Sequence, residues 1–108
     1  MTGGWVQLIV AGVFEIIWVI GLKLSDGLSR MAPSGVSLVA MLFSLYFLSL
    51  SIKTLPLGTA YAVWTGIGIL GTTLIGIFYF NEPKTALRFF FLFLIIAGIL
   101  GLKLQSKY

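Results

Sequence analysis

The sequence predicts an all-α integral membrane protein with four transmembrane helices, and three observations predict it. Of its 108 residues, 59% are hydrophobic and 9% charged, with a mean hydropathy of +1.11, whereas about a quarter of the residues of a soluble domain are charged. The apolar residues gather into four blocks, approximately 3–23, 34–52, 57–80 and 86–104, each close to the ~20 residues a helix needs to cross a hydrocarbon core of ~30 Å. The connecting segments are short and contain helix breakers. Four spans use almost the whole chain, which leaves a single domain, 1–108, and no stretch for a soluble one.

The first block contains AGVFEIIWVIGLK (11–23), in which Glu15 stands alone among apolar residues. It lacks a basic leader and a small-residue cleavage pattern, and its apolar run is too long for a signal peptide, so it reads as a retained helix. An ionised side chain at mid-membrane costs roughly 3 kcal/mol or more. Glutamine would fill the same space without that cost, so Glu15 reads as functional. Trp18 follows at i+3, while Ala11 and Gly12 at i−4 and i−3 allow a neighbouring helix to approach and read as packing.

The second block carries Ser37, Ser44 and Ser51 on one helical stripe, with Met41 and Leu48 between them. Serines in membrane helices commonly bond their own backbone carbonyls, and Ser37 and Ser51 read that way. Ser44 lies near mid-depth, at the level of Glu15. In the third block Tyr61, Trp64 and Gly68 share a face, and Gly66, Gly71 and Gly76 add close contacts and flexibility. Aromatic residues near span ends usually form interface belts, a reading that suits Trp5, Tyr79 and Tyr108. Tyr61 and Trp64 lie deeper, where their polar groups need partners, and a cation held between carboxylates and aromatic faces would suit them. The fourth block has no acidic residue; Ala97, Gly98 and Gly101 offer a helix-contact surface for dimerisation, and Lys103 and Lys107 read as side chains snorkelling to headgroups.

The loops KLSDGLSRMAPS (23–34), with Asp26, Gly27 and Pro33 as breakers, KTLPLG (53–58) and NEPKTA (81–86), with Pro83 where a helix would begin, make successive helices antiparallel neighbours. Lys23, Arg30, Lys84 and Arg88 then lie on one side of the membrane, and Lys53, Lys103 and Lys107 on the other with the N-terminal amine. Orientation follows the difference between such counts. The near-tie fits either noise in a small protein or dual topology, in which oppositely inserted copies pair. Four helices alone shield a polar path poorly, which favours an oligomer.

The sequence has no cysteine and no histidine, which excludes thiol chemistry, disulfides and imidazole-based metal or acid–base sites. No metal and no cofactor is expected. The net charge of +4 reads as headgroup anchoring, with no nucleic-acid partner. The glycines of WTGIGILG lie inside a span and so form no nucleotide loop. One mid-membrane carboxylate without a nucleophile assembles no reaction centre, and the chain reads as a non-enzyme.

The chain resembles the small multidrug resistance transporters over its full length. The resemblance rests on the glutamate of span one, on PLGTAYAVWTGIG (56–68) and on the glycine-bearing fourth span. The Glu15–Trp18 spacing, the longer KTLPLGTAYAVWTGIG and the closing GLK look like the guanidinium-exporter branch. The resemblance implies an antiparallel, dual-topology dimer in the bacterial plasma (inner) membrane that exports guanidinium ion in exchange for protons. Glu15 of each subunit would bind proton and substrate by turns, and Trp18 and Ser44 would hydrogen-bond and orient it. Tyr61 would sit between or above the carboxylates, and Trp64 would support the floor of the site. Some members pair different subunits, so a heterodimer stands beside the homodimer. Rival readings are export of quaternary ammonium or polyaromatic cations within the same family, a non-transporting membrane scaffold subunit, and a passive channel.

Overall fold

The computed structural model describes residues 2–105, with side chains from Gly3 onward; Lys107 and Tyr108 lie outside the described residues. Four helices follow one another: α1 (Thr2–Leu24), α2 (Met31–Ser51), α3 (Leu57–Tyr79) and α4 (Ala86–Gln105). No strand occurs among the described residues. At ~1.5 Å per residue each helix is about 30–35 Å long, and all four are apolar enough to cross a bilayer. The chain is a multi-pass membrane protein.

The helix ends follow from local chemistry. α2 takes Pro33 into its first turn instead of starting after it, because N–H groups there have no intrahelical acceptor to lose. Conversely, α4 starts after Pro83, with Thr85 as its cap: Thr85 Oγ1 accepts the Arg88 N–H at 3.2 Å. Arg88 also ties the preceding loop, donating through Nη2 to Glu82 Oε1 at 2.7 Å and through Nη1 to the Pro83 carbonyl at 2.9 Å. Between α1 and α2 the chain reverses through Asp26, Gly27 and Leu28, all at positive φ. Ser25 holds that turn: its hydroxyl donates to the Leu22 carbonyl at 2.6 Å and accepts the Leu28 N–H at 3.0 Å.

α1 is the centre of the bundle. It packs along α2 and, less extensively, along α3; the α4 backbone lies along α3 alone, and α2 and α3 barely meet. Lys23 stands 5.6 Å from the Phe80 ring at one end, and Lys103 stands 5.0 Å from the Trp5 ring at the other, as an up-and-down order requires. The Cα extents are 43 × 34 × 16 Å, so the chain is a flattened plate about two packed helices deep.

Lipid is as apolar as leucine, so burying aliphatic side chains between spans brings no hydrophobic gain, and close packing of small residues holds the helices instead. Accordingly Val13, Leu38, Leu42, Phe78 and Phe93 point outward. A methyl group on Gly21 would lie 3.1 Å from Ser37 Cβ, and one on Gly66 would lie 2.7 Å from Ile99 Cδ1, so these two glycines set the α1–α2 and α3–α4 spacings. Phe14 stacks on Phe43 and Phe47 at centroid distances of 5.4 and 6.1 Å.

The compact core sits at the Trp5 end, where Trp5, Leu8, Leu55, Ala60 and Val63 are buried together. Trp5 therefore departs from the interface-belt reading: it is 6% exposed. Leu55 is buried in the same cluster and Leu102 packs against it, and Lys103 stands over the Trp5 ring, a cation–π contact that favours the position. Tyr79, in contrast, is 79% exposed. Leu92 is the one buried residue of α4 among those described, and a methyl group on Gly98 or Gly101 would meet nothing within 4 Å.

Candidate functional site

Glu15 lies near the middle of α1, flanked on the helix by Phe14 and Ile16. One turn along, the Trp18 indole Nε1 donates to Glu15 Oε1 at 2.5 Å. The i, i+3 spacing places the two side chains on one face, so α1 supplies the pair by itself. α3 brings Gly68 against the carboxyl group: a methyl there would lie 2.6 Å from Glu15 Cγ and 3.2 Å from Oε2. The absence of a side chain at Gly68 is what allows the carboxylate to lie between the helices. The Thr72 hydroxyl donates to the Gly68 carbonyl at 2.7 Å, a bond that favours bending of a helix.

The other expected residues form a second group. The Ser44 hydroxyl donates to the Ala11 carbonyl at 2.7 Å and accepts the Trp64 Nε1–H at 2.9 Å. Tyr61 lies beside Trp64, ring centroids 5.7 Å apart, and is 58% exposed. Within one chain, therefore, Ser44 and Trp64 meet each other and the α1 backbone, and no hydrogen bond from a described residue other than Trp18 reaches the Glu15 carboxylate. The link between the two groups is the helix itself, because in an α-helix the Ala11 carbonyl is the acceptor for the Glu15 N–H.

One residue of this region departs from its reading in the sequence. Ser51 does bond its own helix, donating to the Leu48 carbonyl at 2.7 Å. Ser37 instead crosses to α1 and donates to the Trp18 carbonyl at 2.6 Å. The seven-residue spacing marks both serines equally, and the difference is that Gly21 lets the α1 backbone approach Ser37 closely.

Electrostatically, Glu15 is isolated. The one ion pair among the described residues joins Arg88 to Glu82 at 2.7 Å, so no described cation of this chain neutralises the intramembrane carboxylate. No group of three or more histidine, cysteine or acidic side chains occurs among the described residues. A polar recess of about 240 Å³ begins one turn along α1 from Glu15, lined by Val19, Lys23, Thr72, Thr73, Gly76 and Glu82. It carries the α1–α3 groove to the membrane face.

Fold and site together define a polytopic membrane protein built around a single unpaired carboxylate in its first span, held by an indole and seated on a glycine. The family model described as Small Multidrug Resistance protein matches residues 3–95, and the chain belongs to that family. It is 53% identical over 102 residues to a protein named guanidinium exporter from Yersinia pseudotuberculosis serotype I, covering 94% of this chain and 98% of that one. It is 47% identical to proteins of the same name from Salmonella typhimurium and Citrobacter freundii, covering 94% of this chain and 97% of each.

Proposed function

We propose that this chain is a proton-coupled antiporter that exports guanidinium ion and small guanidinyl cations across the bacterial plasma membrane, working as an antiparallel homodimer and not as an enzyme. The observation that carries this reading is the unpaired Glu15 carboxylate. A charge that no described side chain neutralises, in a medium where ions are costly, has to be balanced from outside the chain, by a proton or by a cation. The near-full-length similarity to proteins named guanidinium exporter supports the choice of cation.

In the proposed mechanism, the Glu15 side chains of two copies face one cavity and titrate as a coupled pair. Guanidinium is planar and rich in N–H donors, and carboxylates accept such a group in a forked geometry. Trp18 steadies Oε1 and leaves Oε2 toward the α3 side, over Gly68. Ser44 and Trp64 hold the backbone turn leading into Glu15, and Tyr61 presents its exposed ring at the cavity wall. Because proton and cation use the same oxygens, each excludes the other. If only loaded dimers reorient, inward proton flow drives cation export by rocking of one element against another, with the glycines of α3 as hinges.

Two features support the dimer. A plate 16 Å thick cannot enclose a polar site by itself, and the open Ala97, Gly98 and Gly101 surface of α4 accepts close approach of another helix. The near-equal basic counts on the two faces fit an antiparallel pair.

Uptake into proteoliposomes under an imposed pH gradient tests the reading. Guanidinium should exchange faster than tetramethylammonium or a quaternary aromatic dye, with protons moving oppositely. Equal or faster transport of the quaternary cations would instead assign multidrug efflux. No transport by purified chain would leave a scaffold role or an obligatory second subunit, which co-reconstitution with a related chain separates.

A further inference from the structure

We infer that Ser37 is a positioning residue for the cation site: by bonding the Trp18 carbonyl across the α1–α2 interface, it fixes the rotation and register of the turn that carries Glu15 and Trp18. The inference rests on the reading of Glu15 as the binding carboxylate and adds to it a residue that touches neither the carboxylate nor the cation.

The geometry that carries it is a two-point clasp. Ser37 Oγ donates to the Trp18 carbonyl at 2.6 Å, and Ser44 Oγ donates to the Ala11 carbonyl at 2.7 Å. The two serines are spaced by seven residues, and so are the two carbonyls, in opposite chain directions. Both bonds thus belong to one antiparallel register, and they bracket Glu15 from below and above. At the level between them α2 presents Ala40, buried and small, which leaves room on that side of α1. The two serines are themselves buried, Ser37 at 4% exposure and Ser44 at 0%.

A single such bond would leave α1 free to swivel about it, whereas two bonds two turns apart define an axis and a rotation. Rotation matters here because one α-helical residue is 100° of arc. A swivel of a fraction of that turns Glu15 away from Gly68, against which its carboxyl group lies. Ser44 also accepts from Trp64, so its loss disturbs α3 as well. Ser37 acts on the Trp18 turn alone. Gly21 makes the contact possible, since a methyl there would lie 3.1 Å from Ser37 Cβ and 3.2 Å from its Cα. Away from water, a hydroxyl holds to the acceptor it has.

The experiment compares the full-length reconstituted dimer with Ser37→Ala, Ser37→Thr and Ser51→Ala, measuring guanidinium exchange against concentration. Ser51→Ala removes the same atom from the same stripe where it bonds only its own helix. Ser37→Ala is expected to raise the KM for guanidinium about three- to tenfold, the range of one lost hydrogen bond, with little change in turnover at saturation. Ser37→Thr, which keeps the hydroxyl, should restore the wild-type KM, and Ser51→Ala should leave it unchanged. An unchanged KM in Ser37→Ala, or a loss confined to dimer stability, would overturn the assignment. If Ser37→Ala does not fold, Ser37→Cys carries the same comparison.

The Trp18 indole N–H resonance in the purified dimer is the readout independent of transport. It should move in Ser37→Ala and stay in place in Ser51→Ala. Wild-type protein that fails to exchange guanidinium would refute the proposed function. An unmoved resonance in Ser37→Ala would refute the clasp alone.

Discussion

Gly68 of α3 and Glu15 of α1 are in such close contact that a methyl group on the glycine would lie 2.6 Å from Cγ of the glutamate. The obstructing atoms belong to a flexible side chain, so Gly68→Ala should fold and dimerise while displacing the carboxyl group from its seat. We expect guanidinium affinity to fall about tenfold or more, the cost of a lost charged hydrogen-bond geometry. Isothermal titration of the purified dimer measures it; wild-type affinity would remove Gly68 from the site.

Glu15→Gln retains shape and one hydrogen-bond acceptor for Trp18, but has no exchangeable charge. Exchange should vanish, with dimerisation and thermal stability at or above wild type, since an ionised group leaves the membrane interior. Proteoliposome flux with size-exclusion chromatography reads both quantities. An active Gln variant would favour the scaffold or passive-channel readings.

Ser44 both donates to Ala11 and accepts from Trp64, so Ser44→Ala leaves an indole N–H without its partner in an apolar interior. Unfolding stability should drop by about 1–3 kcal/mol. The Trp64→Phe change should add little to that loss in the double variant, because the two side chains share one interaction. Thermal denaturation in detergent distinguishes this from additive losses, which would mean the bond contributes nothing.

The Glu82–Arg88 pair lies at the membrane face with side chains 41% and 30% exposed. Exposed pairs contribute only about 0–1 kcal/mol, so Glu82→Gln should shift stability within that range and leave the KM for guanidinium unchanged. A large change in KM would mean that the recess beside Lys23 and Thr72 takes part in binding.

Much of this was legible in the sequence, for reasons that differ from residue to residue. The four helices follow from block length and hydropathy, because the bilayer fixes the span. The Glu15–Trp18 bond follows from i, i+3 spacing within one helix. Contacts between helices were less legible. Ser37 and Ser51 look alike on their stripe, and the hydroxyl that crosses is the one that Gly21 lets the α1 backbone approach closely. Trp5 looks like an interface aromatic until packing buries it in one cluster with Leu55 and sets Lys103 over its ring. Pro33 reads as a breaker, yet the first turn of a helix tolerates proline.

The central claim is that one carboxylate is occupied by turns with a proton and a cation, and the affinity of the purified dimer for guanidinium as a function of pH tests it most directly. Each proton displaced on binding should weaken affinity by up to about tenfold per unit of acidification below the site's own titration range, and the dependence should disappear in Glu15→Gln together with binding. An affinity that stays constant from mildly acidic to mildly alkaline solution would contradict the account.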